Sequence, residues 1–188
     1  MLNCKRCGQD KPLTEMVKKS AVKGGYLKLC RACRSEIRYE NGEYMREIVR
    51  RHAKDANQKV PLVTENDLIE LMAERQTCPY CDVKLTQANR TIDHIYPKSQ
   101  KYGGKNITDN MIYCCHSCNS GKHTTNIYDF YQRSKKFTDQ LWREFIQCWI
   151  GRIANRVLTE SEIDFMSEQL KAESEELALA KKNEPTTT

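Results

Sequence analysis

The chain has 188 residues, of which 39% are hydrophobic and 30% charged, which suffices for one ordinary domain or two small ones. No run approaches the ~18 apolar residues that a membrane-spanning helix needs. The first residues also lack the apolar core of a signal peptide. These features exclude a membrane protein and predict a cytoplasmic one.

The net charge of +6 is unevenly distributed along the chain. Residues 1–57 carry 14 Lys and Arg against 7 Asp and Glu, and residues 58–158 carry 14 against 10. Residues 159–188 carry only 3 against 8. The basic N-terminal and central regions favour binding to a polyanion, whereas the acidic C-terminal region is typical of a solvated or self-interacting segment.

The ten cysteines include four pairs with the spacing Cys-x-x-Cys. This spacing lets both thiolates of a tight knuckle face one ion, and two knuckles complete a tetrahedral zinc site. Redox or disulfide pairs are the alternative, which is disfavoured because a reducing cell interior keeps such thiols reduced. The sequence therefore predicts two structural zinc ions, bound by Cys4, Cys7, Cys30, Cys33 and by Cys78, Cys81, Cys115, Cys118.

The first two knuckles lie 22 residues apart, close to the usual gap in zinc ribbons, with a hairpin turn predicted at Lys23-Gly24-Gly25-Tyr26. A helical stretch follows from Arg31 to about Asn57, broken at Asn41-Gly42. Its surface is either simply solvated or follows the phosphates of a nucleic acid. The basic side chains concerned are Arg31, Arg34, Arg38, Arg46, Arg50 and Arg51.

A linker containing Pro61 is predicted over residues 58–63, and Thr64 then caps a helix to about Gln76. Its apolar side is predicted to comprise Leu68, Ile69, Leu71 and Met72. Three more helices are predicted at about 127–134, 138–155 and 160–182, the last opening with a capping box at Thr159 and Glu162. The final residues from Glu184 are predicted to be disordered.

The second pair of knuckles lies 33 residues apart, too far for a simple zinc finger. The insert reads as a strand over Thr91–Ile95, a loop containing Gly103-Gly104, and a second strand over Met111–Cys114. A helix begins near Cys118. The predicted order is strand, loop, strand and helix, clamped at its outer ends by zinc.

Phosphodiester hydrolysis requires a base, a hard cation and charge near the leaving oxygen. His94 can serve as the base, since imidazole titrates near neutrality, and Asp93 and Asn119 offer hard oxygen ligands. Lys122, one turn after Asn119, is either a phosphate contact or a solvated lysine. Adjacent residues of a regular strand face opposite sides, so Asp93 and His94 require an irregular backbone or approach the phosphate from two sides.

These residues, together with Pro97, Ser99 and the knuckles, resemble an HNH endonuclease with a ββα-metal core, in the subgroup whose third signature residue is Asn. The resemblance covers about residues 77–125. It implies that His94 is the general base, that Asp93 and Asn119 bind a catalytic Mg²⁺ or Mn²⁺, and that Asn110 holds the histidine loop. The products would carry 5′-phosphate and 3′-hydroxyl ends. The N-terminal pattern Cys-x-x-Cys-Gly-x-x-Lys-Pro-Leu is similar to phage and mobile-element HNH proteins, which act in the host cell.

The predicted fold is α+β and mainly helical. A zinc module and basic helix occupy residues 1–57, a linker and helix 58–76, the nuclease core 77–126, and a helical segment with a disordered tail 127–188. The predicted function is metal-dependent hydrolysis of DNA by a monomer or dimer, with Lys98, Lys122 and the helix arginines contacting DNA. The alternatives are a zinc-stabilised nucleic-acid-binding protein without catalysis and a dimeric resolvase of branched DNA.

Overall fold

A computed structural model describes residues 1–53, 63–99 and 102–183, without the side chains of 52–53 and 181–183. Most of the predicted linker, the end of the basic helix beyond Ala53 and the predicted disordered tail therefore lie outside the described residues. The chain forms two compact units, Met1–Lys54 with Thr86–Ala88 and Asp55–Leu85 with Asn89–Thr188. The described residues form three two-stranded sheets and seven α-helices, which confirms the predicted α+β, mainly helical fold.

The first unit begins with two antiparallel strand pairs. β1 (Leu2–Asn3) pairs with β2 (Asp10–Lys11), and β3 (Met16–Lys18) pairs with β4 (Tyr26–Cys30) after a 3-10 helix at Leu13–Glu15. Gly24 and Gly25 turn the second hairpin with φ of +87° and +72°, backbone angles that favour glycine. The predicted hairpin is confirmed.

Two helices complete this unit, α1 (Arg31–Glu40) and α2 (Glu43–Ala53). The predicted break lies between them, where Asn41 donates its backbone N–H to the carbonyl of Ile37 and Gly42 adopts a φ of +69°. Met45 and Ile48 are buried on one side of α2, and its arginines lie on the exposed surface. The sparse apolar positions of this helix thus supply its packing face.

The second unit opens with α3 (Glu65–Glu74), which Thr64 caps as predicted. The hydroxyl of Thr64 accepts from the Asp67 amide at 3.2 Å, and the Asp67 carboxylate accepts from the Thr64 amide at 2.7 Å. Leu68 and Leu71 are buried, but Ile69 is 49% exposed, so its assignment to the apolar side was wrong. Residues three apart in a helix lie on the same face, so Leu68 and Leu71 share the buried face. Ile69 directly follows Leu68 and therefore points away from that face.

After α3 the chain forms strands β5 (Arg90–His94) and β6 (Met111–Cys115) and helix α4 (His116–Lys122). Three further helices follow, α5 (Ile127–Arg133), α6 (Asp139–Ala154) and α7 (Glu160–Asn183). The predicted capping box is present at α7, where Thr159 and Glu162 exchange hydrogen bonds of 2.8 and 3.3 Å. Trp142 and Trp149 are buried on α6, in a cluster of aromatic rings. No helix within the described ranges is long and apolar enough to cross a membrane.

Candidate active site in a strand–loop–strand–helix segment

The insert between the second pair of knuckles folds in the predicted order. β5 (Arg90–His94) pairs antiparallel with β6 (Met111–Cys115), with Asp93 opposite Ile112 and His94 opposite Met111. α4 (His116–Lys122) follows directly. It begins two residues before Cys118 because Cys115 is its N-cap, with a sulfur that accepts from the Cys118 amide at 3.4 Å.

The eight knuckle cysteines gather into two clusters, in each of which the four sulfurs lie within 4.8 Å of one another. The predicted pairing of knuckles is therefore confirmed. A hydrogen bond from Cys118 lowers the pKa of the Cys78 thiol to about 5. Hydrogen bonds from the backbone amides of Cys7 and Cys30 lower the pKa of Cys4 to about 6. In the same clusters, burial raises the pKa of Cys33, and the hydrogen bond to Cys78 raises that of Cys118. The case for zinc therefore rests on the grouping of four sulfurs, since cysteine binds zinc as the thiolate.

Asp93 and Lys122 form a buried ion pair between β5 and α4. The Lys122 side chain is fully buried, and its Nζ lies 3.1 Å from the Asp93 carboxylate and 2.7 Å from the His94 carbonyl oxygen. Tyr80 donates its hydroxyl to the same carboxylate at 2.7 Å. Burial raises the pKa of Asp93, although the Lys122 ammonium opposes that shift.

The two sequence-based expectations for Lys122 are both corrected by this geometry. A side chain with 0% exposure is neither solvated nor able to reach a phosphate in this conformation. Its ammonium instead ties the end of α4 to the backbone of β5 at His94. Lys122 lies one helical turn after Asn119, which correctly indicated a position near the site. The burial of the Lys122 ammonium depends on the Asp93 carboxylate, because that carboxylate neutralises its charge.

The His94 side chain is half-buried, and its Nε2 lies 2.7 Å from the Oδ1 of Asn106. Asn106 is only 2% exposed. It follows the Gly103-Gly104 turn by two residues, and the sequence motifs do not include it. The available signal was a polar residue just beyond two glycines, in a loop that returns to the histidine strand.

Asn110 cross-links the loop between β5 and β6. Its Oδ1 accepts from the Tyr96 amide at 2.7 Å, and its Nδ2 donates to the carbonyls of Tyr96 and Lys105 at 3.0 Å each. Gly104 closes the same loop so tightly that a Cβ there would lie 1.9 Å from the Tyr96 oxygen. Both ends of the loop are therefore fixed next to the histidine strand.

Asn119 lies within α4 and reaches back to β5. Its Nδ2 donates to the Ile92 carbonyl at 3.2 Å and to the Thr91 hydroxyl at 3.4 Å. Because Thr91 and Asp93 are two residues apart, their side chains share one face of the strand, and Asn119 packs on that face. Its Oδ1 accepts no hydrogen bond from the described residues, and Cys115 rather than Asn119 caps the helix.

The predicted DNA-contacting arginines belong to the first unit, where they differ in their partners. Arg38 pairs with Glu43 at 2.9 Å, and Arg50 and Arg51 share Glu47 at 2.8 and 3.3 Å. Arg46 donates to the carbonyl of Asn41 at 2.7 Å. Arg31 and Arg34 are exposed and form no ion pair with any described residue. Lys98, in the second unit, is also exposed.

Comparison with known proteins shows that this segment matches a protein family. The model of the HNH endonuclease family matches residues 78–125. The CRISPR-associated endonuclease Cas9 of Corynebacterium diphtheriae is 38% identical over 48 residues, which are 26% of this chain and 4% of that protein. The crystal structure of the Type II-C Cas9 enzyme from Actinomyces naeslundii, at 19% identity, covers 79% of this chain and 14% of that one. Its TM-score of 0.37 is too low to establish a shared overall fold.

The chain thus spans only a small part of either relative. The family match instead coincides with the two strands, the loop and the helix that surround His94, and it begins at the first cysteine of the second cluster. Residues 78–125 of this chain form an HNH endonuclease domain.

Proposed function

We propose that this chain is an endonuclease that hydrolyses DNA phosphodiester bonds with a divalent metal, using His94 as general base. The observation that carries the proposal is the coincidence of the HNH family match with a strand–loop–strand–helix unit whose histidine strand is held by dedicated polar contacts. Binding alone does not require such contacts around one imidazole.

In the proposed reaction, His94 removes a proton from the attacking water, and the imidazole is held ready for this by the loop and strand around it. Asn110 fixes the loop through three hydrogen bonds, and Lys122 fixes the carbonyl of His94. These contacts keep the base in place without reorganisation during the reaction. The products would carry 5′-phosphate and 3′-hydroxyl ends.

The oxygens of Asp93 and Asn119 fit a hard divalent cation in donor type and in their placement on one face of β5. The amide nitrogen of Asn119 is tied to the strand, which leaves its oxygen as the available donor. The Asp93 carboxylate already accepts from Tyr80 and Lys122, so cation binding competes with the Lys122 ammonium. Bound Mg²⁺ or Mn²⁺ would stabilise the charge on the phosphate and the leaving 3′ oxygen.

Incubation of supercoiled plasmid with the purified protein tests the proposed function. With Mg²⁺ or Mn²⁺ present, we expect relaxed or linear plasmid, and with EDTA we expect none. Relaxed product identifies a nicking enzyme and linear product a double-strand cutter. If plasmid, native genomic DNA and branched DNA all remain intact, the chain is a zinc-stabilised binding protein and the proposed activity is wrong.

We infer that the two cysteine clusters hold two structural zinc ions, and elemental analysis tests this. The wild-type chain is expected to contain two zinc ions, and replacing both Cys4 and Cys7 by serine is expected to reduce this to one. Cys148 lies outside both clusters, so Cys148→Ser serves as the matched control and keeps two. A double variant that retains two zinc ions would show that the first cluster does not bind the metal.

We further propose that DNA contacts in the first unit come from a groove of about 480 Å³ between β3, β4 and α1. Lys18, Lys19 and Arg34 line it together with the Arg38–Glu43 ion pair, around an aliphatic floor that includes Leu27 and Leu29. All three cationic side chains are exposed, and none is within ion-pair distance of a carboxylate in the described part of the chain. They can therefore neutralise phosphates and release counterions, whereas arginines bound to Glu43 or Glu47 are already partly neutralised.

Two triple variants of equal charge separate these groups of side chains. Replacing Lys18, Lys19 and Arg34 by glutamine is expected to reduce the slope of log K against log salt by about 2 to 3. Replacing the ion-paired Arg6, Arg50 and Arg51, which do not line the groove, by glutamine removes the same charge and is expected to change the slope far less. Equal effects of both variants on DNA binding would show that net charge, not the groove, determines affinity.

A further inference from the structure

The side chain of Asn106 contacts the ring of His94, and Asn106 is not among the HNH residues identified in the sequence above. It is 2% exposed, and its Oδ1 lies 2.7 Å from His94 Nε2. A buried amide oxygen needs a donor, and the imidazole N–H supplies it at a normal hydrogen-bond distance.

The chemistry of this contact selects one tautomer of the histidine. An amide oxygen only accepts, so the hydrogen of the neutral imidazole must reside on Nε2. The lone pair is then on Nδ1, which becomes the basic nitrogen of the ring. A general base needs its lone pair on a defined atom, because the alternative tautomer presents an N–H where the water proton must go.

The position of Asn106 is fixed independently of the histidine. Asn110 bonds to the carbonyl of Lys105, the residue directly before Asn106, and Gly104 packs against the backbone at Tyr96. The two asparagines therefore have different contacts: Asn110 touches only backbone atoms of the loop, whereas Asn106 touches the imidazole. A loop held at both ends gives the amide of Asn106 a defined location.

We propose that Asn106 is the positioning residue of the catalytic base, which orients the His94 ring and holds the proton on Nε2 so that Nδ1 accepts the proton from water. This inference rests on the proposed function, since it assigns Asn106 a role in the same hydrolysis. The proton passes from water to Nδ1 while the Nε2–H bond to Asn106 persists. The ring leaves this step as an imidazolium with both nitrogens protonated.

Nitrogen-15 NMR of the imidazoles in alkaline buffer tests the tautomer directly. The chain has four histidines, and His94→Gln identifies the His94 signals by their loss. We expect His94 to carry hydrogen on Nε2 in the wild-type protein and to become a mixture of tautomers in Asn106→Leu. A wild-type His94 protonated on Nδ1 overturns the proposal whether or not any variant folds.

Single-turnover cleavage at saturating DNA is the second readout. We expect Asn106→Leu to slow cleavage by about 10²-fold without weakening DNA binding, because a misplaced base affects the reaction and not the affinity. Asn106→Asp keeps an acceptor oxygen at the same place, so it is expected to retain the Nε2–H tautomer and most of the rate. A merely structural asparagine would not give this rescue.

The results separate the failure of this inference from failure of the proposed function. If the wild-type chain cuts DNA and Asn106→Leu cuts at the same rate, or loses rate with its tautomer unchanged, Asn106 is not the positioning residue. If the wild-type chain cuts no DNA, the endonuclease proposal fails, and with it the catalytic role of Asn106, while the NMR result still decides the tautomer.

Discussion

Replacement of His94 by alanine is expected to abolish detectable DNA cleavage while leaving the fold and DNA binding intact. His94 is half-buried at the end of β5, whereas the buried aromatic residues Phe130, Trp142 and Phe145 lie on α5 and α6. A positioned general base contributes about 10²- to 10⁴-fold to a rate, which sets the expected loss. Plasmid cleavage and a DNA-binding titration on the same preparation measure both quantities.

His116→Gln is the matched control for this substitution. His116 is an exposed histidine at the start of α4, outside the set of sulfurs that form the second cluster. It is expected to cleave like the wild-type protein. If His94→Ala also fails to bind DNA, or if it cleaves as fast as the control, His94 is not the base.

Local patterns sufficed to predict the helices and strands of the second unit because the signals for these elements are local. Capping residues at Thr64 and Thr159 and the spacing of the cysteines each determine a short stretch of chain without reference to the rest. Strand–loop–strand–helix order in the insert followed from the same kind of signal. The family resemblance of residues 77–125 added proposed roles for single side chains, which spacing alone does not provide.

The contacts that surround the candidate base could not be predicted in this way, since they join residues far apart in sequence. Lys122 is 29 residues from Asp93, and Asn106 is 12 residues from His94. A lysine or asparagine in a loop or helix is usually solvated, and only the folded structure shows which are buried. The ion pairs of Arg50 and Arg51 with Glu47 are different, because residues three and four apart on one helix are neighbours and the spacing alone indicates them.

Replacement of Lys122 by methionine is expected to lower the free energy of unfolding of the second unit by about 3–5 kcal/mol. The substitution keeps an unbranched side chain of similar length but leaves the Asp93 carboxylate, 4% exposed, with Tyr80 as its remaining side-chain partner. It also removes the hydrogen bond to the His94 carbonyl. Urea unfolding followed by tryptophan fluorescence reports on this unit, because Trp142 and Trp149 both lie on α6.

Two further variants show whether the buried charge is the cause. Lys171 pairs with Glu175 at 4.0 Å on the surface, with its side chain 56% exposed, so Lys171→Met is expected to change stability by less than about 1 kcal/mol. Combining Lys122→Met with Asp93→Asn removes both charges and is expected to recover part of the loss, since the penalty arises from an unpaired carboxylate rather than from the missing methylenes. A double variant no more stable than Lys122→Met alone would assign the loss to the bond with the His94 carbonyl instead. With either outcome, Lys122 is a buried residue that binds the backbone of β5 at His94, and it is not the phosphate contact that its spacing from Asn119 suggested.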